Sequence, residues 1–285
     1  MTVSIFRAGA LAVASGLAFM AVPNAIASHE PGATPWAGLP EMAEIRALRE
    51  DDDLDGALAL GQKLVESLAP GGEHASLAPE ARAEILVLHA RTVEHLGMYA
   101  WAAGLYTRAI DEVGRYNYDN PARLNRLLGD LAMALKAAGN REQAEIAYRR
   151  ALAATGGGGP ETSLHHARNL VDYGIFLIDA FRYQEAEPLL VQARRHLERD
   201  ANPTDPRLLL QVNELLALSY RGMGEHEAAL KAAAAASDAA LSLGSTGQPH
   251  VSRMLGLQAS ILARLGRDDD AVELYRDTLV RSINR

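Results

Sequence analysis

The sequence predicts an all-α fold, a solenoid of about five to six antiparallel helix pairs, and three observations carry that prediction. A turn signal recurs at Gly97, Gly139, Phe181, Gly224 and Gly266, spaced 42, 42, 43 and 42 residues apart. Small residues recur around it: Ala102, Ala144, Ala186, Ala229 and Ala271 lie five after the turn, and Ala90, Ala132, Gly174, Ala217 and Ala259 lie seven before. No stretch of any length alternates apolar and polar residues as a strand would. A fixed period of roughly 20–50 residues marks an array in which each unit buries its apolar face on its neighbours.

Residues 1–27 read as an export signal. Arg7 is their one charge, Ala8 to Val22 is an apolar core, and Ala25-Ile26-Ala27 is a small-x-small site before a cut at Ser28. The apolar run of about 15 residues is shorter than the roughly 20 that span a bilayer, so no stable membrane insertion is expected after cleavage. Residues 28–40 (SHEPGATPWAGLP) form a flexible Pro/Gly linker, and the repeat domain occupies 41–285.

Within that domain the first pair is weak, 41–50 with 54–68, with Asp52 at its turn and Ala57 five later. The further pairs are expected at 79–96 with 99–113, 121–138 with 141–154, 161–179 with 182–198, 206–222 with 225–243, and 250–265 with 268–283. Glycine at the turn takes the left-handed conformation that ends the first helix. Pro79, Pro121 and Pro206 suit first helical positions, where no amide donor is needed. The small residues let paired helices approach closely. Turn-rich connectors join the pairs, and Gly156–Gly159 is the least constrained.

This pattern resembles the tetratricopeptide repeat (TPR) family in its long 42-residue form, as in kinesin light chains. The match is clearest in Arg182–Arg194 (RYQEAEPLLVQAR) and in Leu128–Leu152. Phe181 departs from it at the turn, and Leu190 and Ala233 stand where tyrosine is common (Tyr106, Tyr148 and Tyr275 elsewhere). The resemblance implies a right-handed superhelix whose concave groove is lined by the first helix of each pair.

Composition narrows the work. With Arg7 removed, 27 Lys+Arg face 36 Asp+Glu, a net charge near −9, which disfavours nucleic acid and anionic membranes. No cysteine means no disulfide, no thiol chemistry and no lipobox anchor. HExxH, G-x-S-x-G and P-loop motifs are all missing, so the chain reads as non-catalytic, with no cofactor. Asp51-Asp52-Asp53-Leu54-Asp55-Gly56 begins like an EF-hand loop, but the twelfth place is Gln62 where a bidentate carboxylate is required. Capping of a helix start is the better account of these acids. His165 and His166 are adjacent and point to different helix faces, a poor metal pair.

The candidate site is therefore the groove. Inward places recurring about four residues apart give Glu84, Val87, Arg91 and His95; Arg126, Gly129, Met133 and Lys136; Arg168, Val171, Ile175 and Asp179; Gln211, Glu214, Leu218 and Arg221; and Arg253, Gly256, Ser260 and Arg264. Arg126, Arg168 and Arg253 share one place and form a row suited to carboxylates of an extended peptide, over an apolar floor of Met133, Ile175 and Leu218. The alternative is that these arginines pair with acids of neighbouring helices. Asp130 and Asp172 stand where the long-repeat family often has asparagine and are candidates for a ligand backbone. The expectation is an exported scaffold, periplasmic or extracellular, holding a protein or peptide partner. A second reading is a structural component acting through the solenoid ends or convex face. The C-terminal end is a candidate homodimer surface, with some of Leu255, Ile261, Leu262, Leu265 and Leu279 expected on its bare side.

Overall fold

Why the chain folds as a repeat is visible first at its turns. In the computed structural model, residues 39–114, 121–154, 160–198 and 205–283 are described, without side chains for 160–163 and 277–283. The expected signal peptide, nearly all of the linker and Gly156–Gly159 lie outside the described residues. Six turns share one geometry. Their central residues, Asp52, Gly97, Gly139, Phe181, Gly224 and Gly266, all have positive φ, from 58° at Phe181 to 83° at Gly139. Each turn closes with the same two backbone bonds, as in Asn140 N to Leu135 O (2.9 Å) and Gly139 N to Lys136 O (3.0 Å). This is the Schellman arrangement, which satisfies the last carbonyls of a helix. Asp52 and Phe181 adopt it without being glycine, so the register inferred from the sequence holds through all six copies.

The described residues form twelve helices in six antiparallel pairs: α1 Pro40–Glu50 with α2 Leu54–Glu66; α3 Pro79–His95 with α4 Tyr99–Gly114; α5 Pro121–Ala137 with α6 Arg141–Ala153; α7 Pro160–Ile178 with α8 Tyr183–Leu197; α9 Pro206–Met223 with α10 His226–Ser242; and α11 Gln248–Arg264 with α12 Asp268–Ile283. A 3₁₀ turn at Gly244–Gly247 leads into α11. Pro40, Pro79 and Pro206 sit in the first turns of their helices. Asp53 caps α2, its Oδ1 accepting from Gly56 N at 3.0 Å. The acidic run at 51–55 is thus engaged as a turn and cap.

The small residues lie where paired helices touch. Ala57, Ala102, Ala144, Ala186 and Ala229 are fully buried. Nine residues after the turn, a larger side chain crosses to the preceding helix and the next pair. Tyr148 stacks on Tyr173 (centroids 5.4 Å apart) and packs on Phe176 of α7. Where this residue is Leu190, the facing place is Gly174, and a Cβ there would lie 2.8 Å from a Leu190 methyl. In the first copy it is Gly61, and His89 fills the gap, edge-on to Trp101 at 5.2 Å. A buried amide ladder also ties pairs together. Asn169 Nδ2 donates to the Asn125 carbonyl (2.8 Å) and side chain (3.0 Å), and Asn125 Nδ2 donates to Ala151 O (2.6 Å).

Helices that follow in sequence pack together throughout. Contacts that skip one helix join first helices, α1 with α3, α5 with α7 and α7 with α9. First helices therefore occupy the tighter, inner side of the curve. Two expectations are corrected here. Val87, Gly129, Val171 and Glu214, read from the sequence as inward, are buried between repeats. Leu255, Ile261 and Leu262 are buried, not bare, and Leu279 lies outside the described side chains; among those described on the last pair, the large exposed apolar ones are Val272 and Tyr275 of α12. The reason is the same in both cases: each first helix is covered by helices on both sides along the stack, and its free arc is narrow.

Candidate functional site

The inner face is built from the free arcs of α3, α5, α7, α9 and α11. Its charged side chains are arranged mostly in cross-repeat pairs. Arg123 of α5 pairs with Glu84 of α3 at 2.7 Å, and Arg91 of α3 faces Asp130 of α5 at 3.9 Å. Lys136 of α5 meets Asp179 of α7 at 2.7 Å. Arg168 of α7 reaches Asp205, the N-cap of α9, at 3.0 Å. Behind the face, the buried Glu214 of α9 receives both His250 Nδ1 (2.9 Å) and Arg253 of α11. Partly exposed pairs of this kind contribute roughly 0–1 kcal/mol each, so their effect is chiefly to hold side chains in place.

The predicted arginine row is thus three different things. Arg253 is committed to a carboxylate that is only 6% exposed, and Arg168 is anchored by Asp205. Arg126 makes no hydrogen bond or ion pair among the described residues, and its Nε is buried without a partner. Met133 is 45% exposed and is the apolar side chain that the face offers most openly. Ile175, Leu218 and Arg221 are half-buried, and His95 is exposed at the end of α3.

Burial raises the proton affinity of three acids on the first helices, Glu94, Asp130 and Asp172. Glu94 is pushed up to about 7, by burial first and by Asp130, against the Tyr106 hydroxyl that donates to it at 2.8 Å and against Arg91 and Arg49. Asp172 is pushed up to about 7 by burial, with Lys136 opposing, Asp130 adding and Arg168 opposing. Asp130 is raised by burial against Arg91 and Arg126. The Asp130 side chain keeps 29% of its surface, yet protein surrounds it on the curve of the inner face, which limits the water that can solvate its charge. Sequence reasoning missed Glu94, Tyr106 and the Asn125–Asn169 ladder. It weighed His165 only as half of a metal pair with His166, although it lies sixteen residues before its turn, as Arg123 and His250 do before theirs.

Outside this face, Glu145 collects Arg149 (2.6 Å), Arg182 (2.9 Å) and the Tyr173 hydroxyl (3.0 Å), a network that braces the Phe181 turn. Among the described residues no group of three or more His, Asp or Glu side chains is placed to hold a metal ion, and no helix is long and apolar enough to cross a membrane.

No family model matches the sequence, and no curated protein matches it. Solved structures match at low identity. BtubC (BKLC) from P. vanneervenii superposes with a TM-score of 0.64 at 16% identity, covering 81% of this chain and 91% of that one. A putative kinesin light chain with nearly identical TPR-like repeats, from Podosopora anserina, gives 0.55 at 18% identity, over 75% of this chain and 100% of that one. Aspartyl phosphate phosphatase F from Bacillus subtilis gives 0.55 at 12% identity, over 90% and 76%. The fold this chain shares with them is a TPR-like α-solenoid.

Proposed function

We propose that the chain is a non-catalytic scaffold that binds an extended segment of a partner protein along the inner face of the solenoid. The observation that supports this best is the face itself. Successive first helices present charged side chains held in place by cross-repeat pairs, around the open Met133 and beside the unpaired Arg126. A segment lying there would meet Arg91, Arg126, Arg168, Asp130 and Asp172 with an apolar contact at Met133. The apolar leader supports an exported protein working in the periplasm or outside the cell, and the acidic net charge of −8 argues against nucleic acid as the partner.

The test uses mature protein beginning at Ser28, with a photo-crosslinking residue at Met133 or, as a control, at Ile146 on α6. Envelope extract of the source cells supplies the partner. Adducts should form from Met133 and weaken in the Arg126→Ala, Arg168→Ala double variant while its melting temperature holds. Adducts from Ile146 alone would refute the inner-face reading. N-terminal sequencing should begin at or near Ser28, and a product that retains Met1 would refute export.

A second reading rests on α12, where Val272 and Tyr275 are 58% and 51% exposed. Self-association through them predicts a dimer by light scattering that Val272→Glu with Tyr275→Glu converts to monomer.

A further inference from the structure

The repeat register allows the junctions between successive first helices to be compared place by place. Sixteen residues before the turn, three copies carry a basic group: Arg123, His165 and His250. Two of these meet an acid on the preceding first helix. Arg123 pairs with Glu84, thirteen residues before its own turn, and His250 pairs with Glu214, ten before its own. At the α5–α7 junction neither place carries an acid. Arg126 stands at the first and Gly129 at the second, where the Asn169 amide lies against the glycine.

Three cations consequently act on His165: Arg126 of α5, Arg168 of α7 and Arg91 of α3. Arg168 is held by Asp205 and Arg91 by Asp130. Arg126 has no such partner among the described residues, and the Nε atoms of both Arg126 and Arg168 are buried and unbonded. The two places that hold an acid at the other junctions hold none here, and the carboxyls that do act on Arg126 and Arg168, Asp130 and Asp172, are themselves pushed toward the protonated form by burial.

We propose that the α5–α7 junction is an anion subsite, in which Arg126 and Arg168 take a carboxylate of the bound segment and His165 takes up a proton as they do. The ligand supplies here what Glu84 and Glu214 supply at their own junctions. This deepens the inner-face reading and rests on it.

The coupling follows from charge. The His165 ring is held neutral, down to about 4, by burial first and then by Arg126, Arg168 and Arg91. A carboxylate at Arg126 cancels that repulsion, so the ring binds a proton more readily when the site is filled. By linkage, the protonated ring then binds the anion more tightly, and affinity rises as pH falls. Asp172, pushed up to about 7 by burial, acts on Arg168, and Asp130, also raised by burial, acts on Arg126. Their contribution to the pH dependence is separated by replacing His165 alone.

The experiment titrates mature protein with a hexa-aspartate peptide, with hexa-asparagine, and with acetate. Calorimetry in two buffers of different ionisation enthalpy counts protons, and NMR follows the His165 ring. Hexa-aspartate should bind with proton uptake, and its affinity should rise about tenfold between pH ~7.5 and ~5.5; hexa-asparagine should bind far more weakly. Arg126→Gln should weaken hexa-aspartate roughly ten- to a hundredfold. His165→Gln should retain binding at pH ~7.5 and lose the proton uptake. Arg126→Glu restores the internal acid that Glu84 provides, so it should lose the peptide while melting at the parent temperature or above. Binding of hexa-aspartate that ignores Arg126→Gln and takes up no proton would overturn the subsite and leave the inner-face reading standing. Failure of both peptides to bind would overturn the two together. Acetate binding as tightly as hexa-aspartate would assign the site to a free carboxylate and overturn its link to a bound segment.

Discussion

Tyr148 and Tyr275 occupy the same place in the repeat, nine residues after the turn, and differ in what covers them. Tyr148 is 1% exposed, with its ring 5.4 Å from Tyr173 and 5.7 Å from Phe176 of the following pair. Tyr275 is 51% exposed. Replacing a fully buried aromatic with alanine removes its transfer energy and leaves a cavity, about 3–5 kcal/mol in all. At Tyr275 about half the area is already in water and solvent fills the space, so the loss is at most about 1.5 kcal/mol at roughly 25 cal/mol per Å². Tyr148→Ala should therefore destabilise by about 2 kcal/mol or more beyond Tyr275→Ala, or by at least ~4 °C in melting temperature. Tyr106 is a less clean probe because it also donates to Glu94. Urea and thermal unfolding followed by circular dichroism read the difference. Native-state hydrogen exchange should show that Tyr148→Ala loosens α5 to α8 in particular, since a solenoid is stabilised unit by unit. Equal losses from the two variants would refute the claim that the following pair buries this place.

Glu94 and Asp172, raised to about 7, hold protons in the folded chain that the unfolded chain has released, so stability should fall as pH rises from about 4 to 7 and level off above; Glu94→Gln with Asp172→Asn should flatten that slope in pH-dependent melts. Glu145 has the opposite sign. Arg182 first, against burial, and then Tyr173 and Arg149 hold it down to about 2 from an ordinary 4.5, so its contribution is complete above about 4.5 and lost as pH falls toward 2. Glu145→Gln should remove that acid limb. Ala144→Leu and Ala186→Leu overfill places with no exposure and should cost roughly 1–3 kcal/mol each; melts within error of the parent would contradict the helix contact. Phe181→Gly should stabilise by about 0.5–1 kcal/mol, the left-handed strain of about 1–2 kcal/mol less the chain entropy that glycine adds, because a side chain 77% exposed has little burial to lose.

Sequence by itself determined the repeat and its register. Turn residues, first-turn prolines and small contact residues act over a few residues, and a helix pair is specified by such local signals; even Asp52 and Phe181 could be placed at turns because their neighbours kept the spacing. The nature of the inner face was legible in the same way, as a set of places on first helices. Tertiary structure decided which of those places face outward and which charges meet. Val87 and Glu214 are buried because the angle between successive pairs narrows the free arc of each first helix, and no local signal encodes that angle. Arg168 could have paired with any of several acids, and only the approach of the α9 N-terminus selects Asp205, 37 residues away. The raised proton affinities of Glu94 and Asp172 come from the same curvature, since desolvation depends on how neighbouring helices enclose a carboxyl and not on the residues beside it in the chain. Arg126 and His165 stand out only when both are in hand: the register shows which places at their junction lack an acid, and the packing shows that the Arg126 Nε is buried without a hydrogen-bond partner.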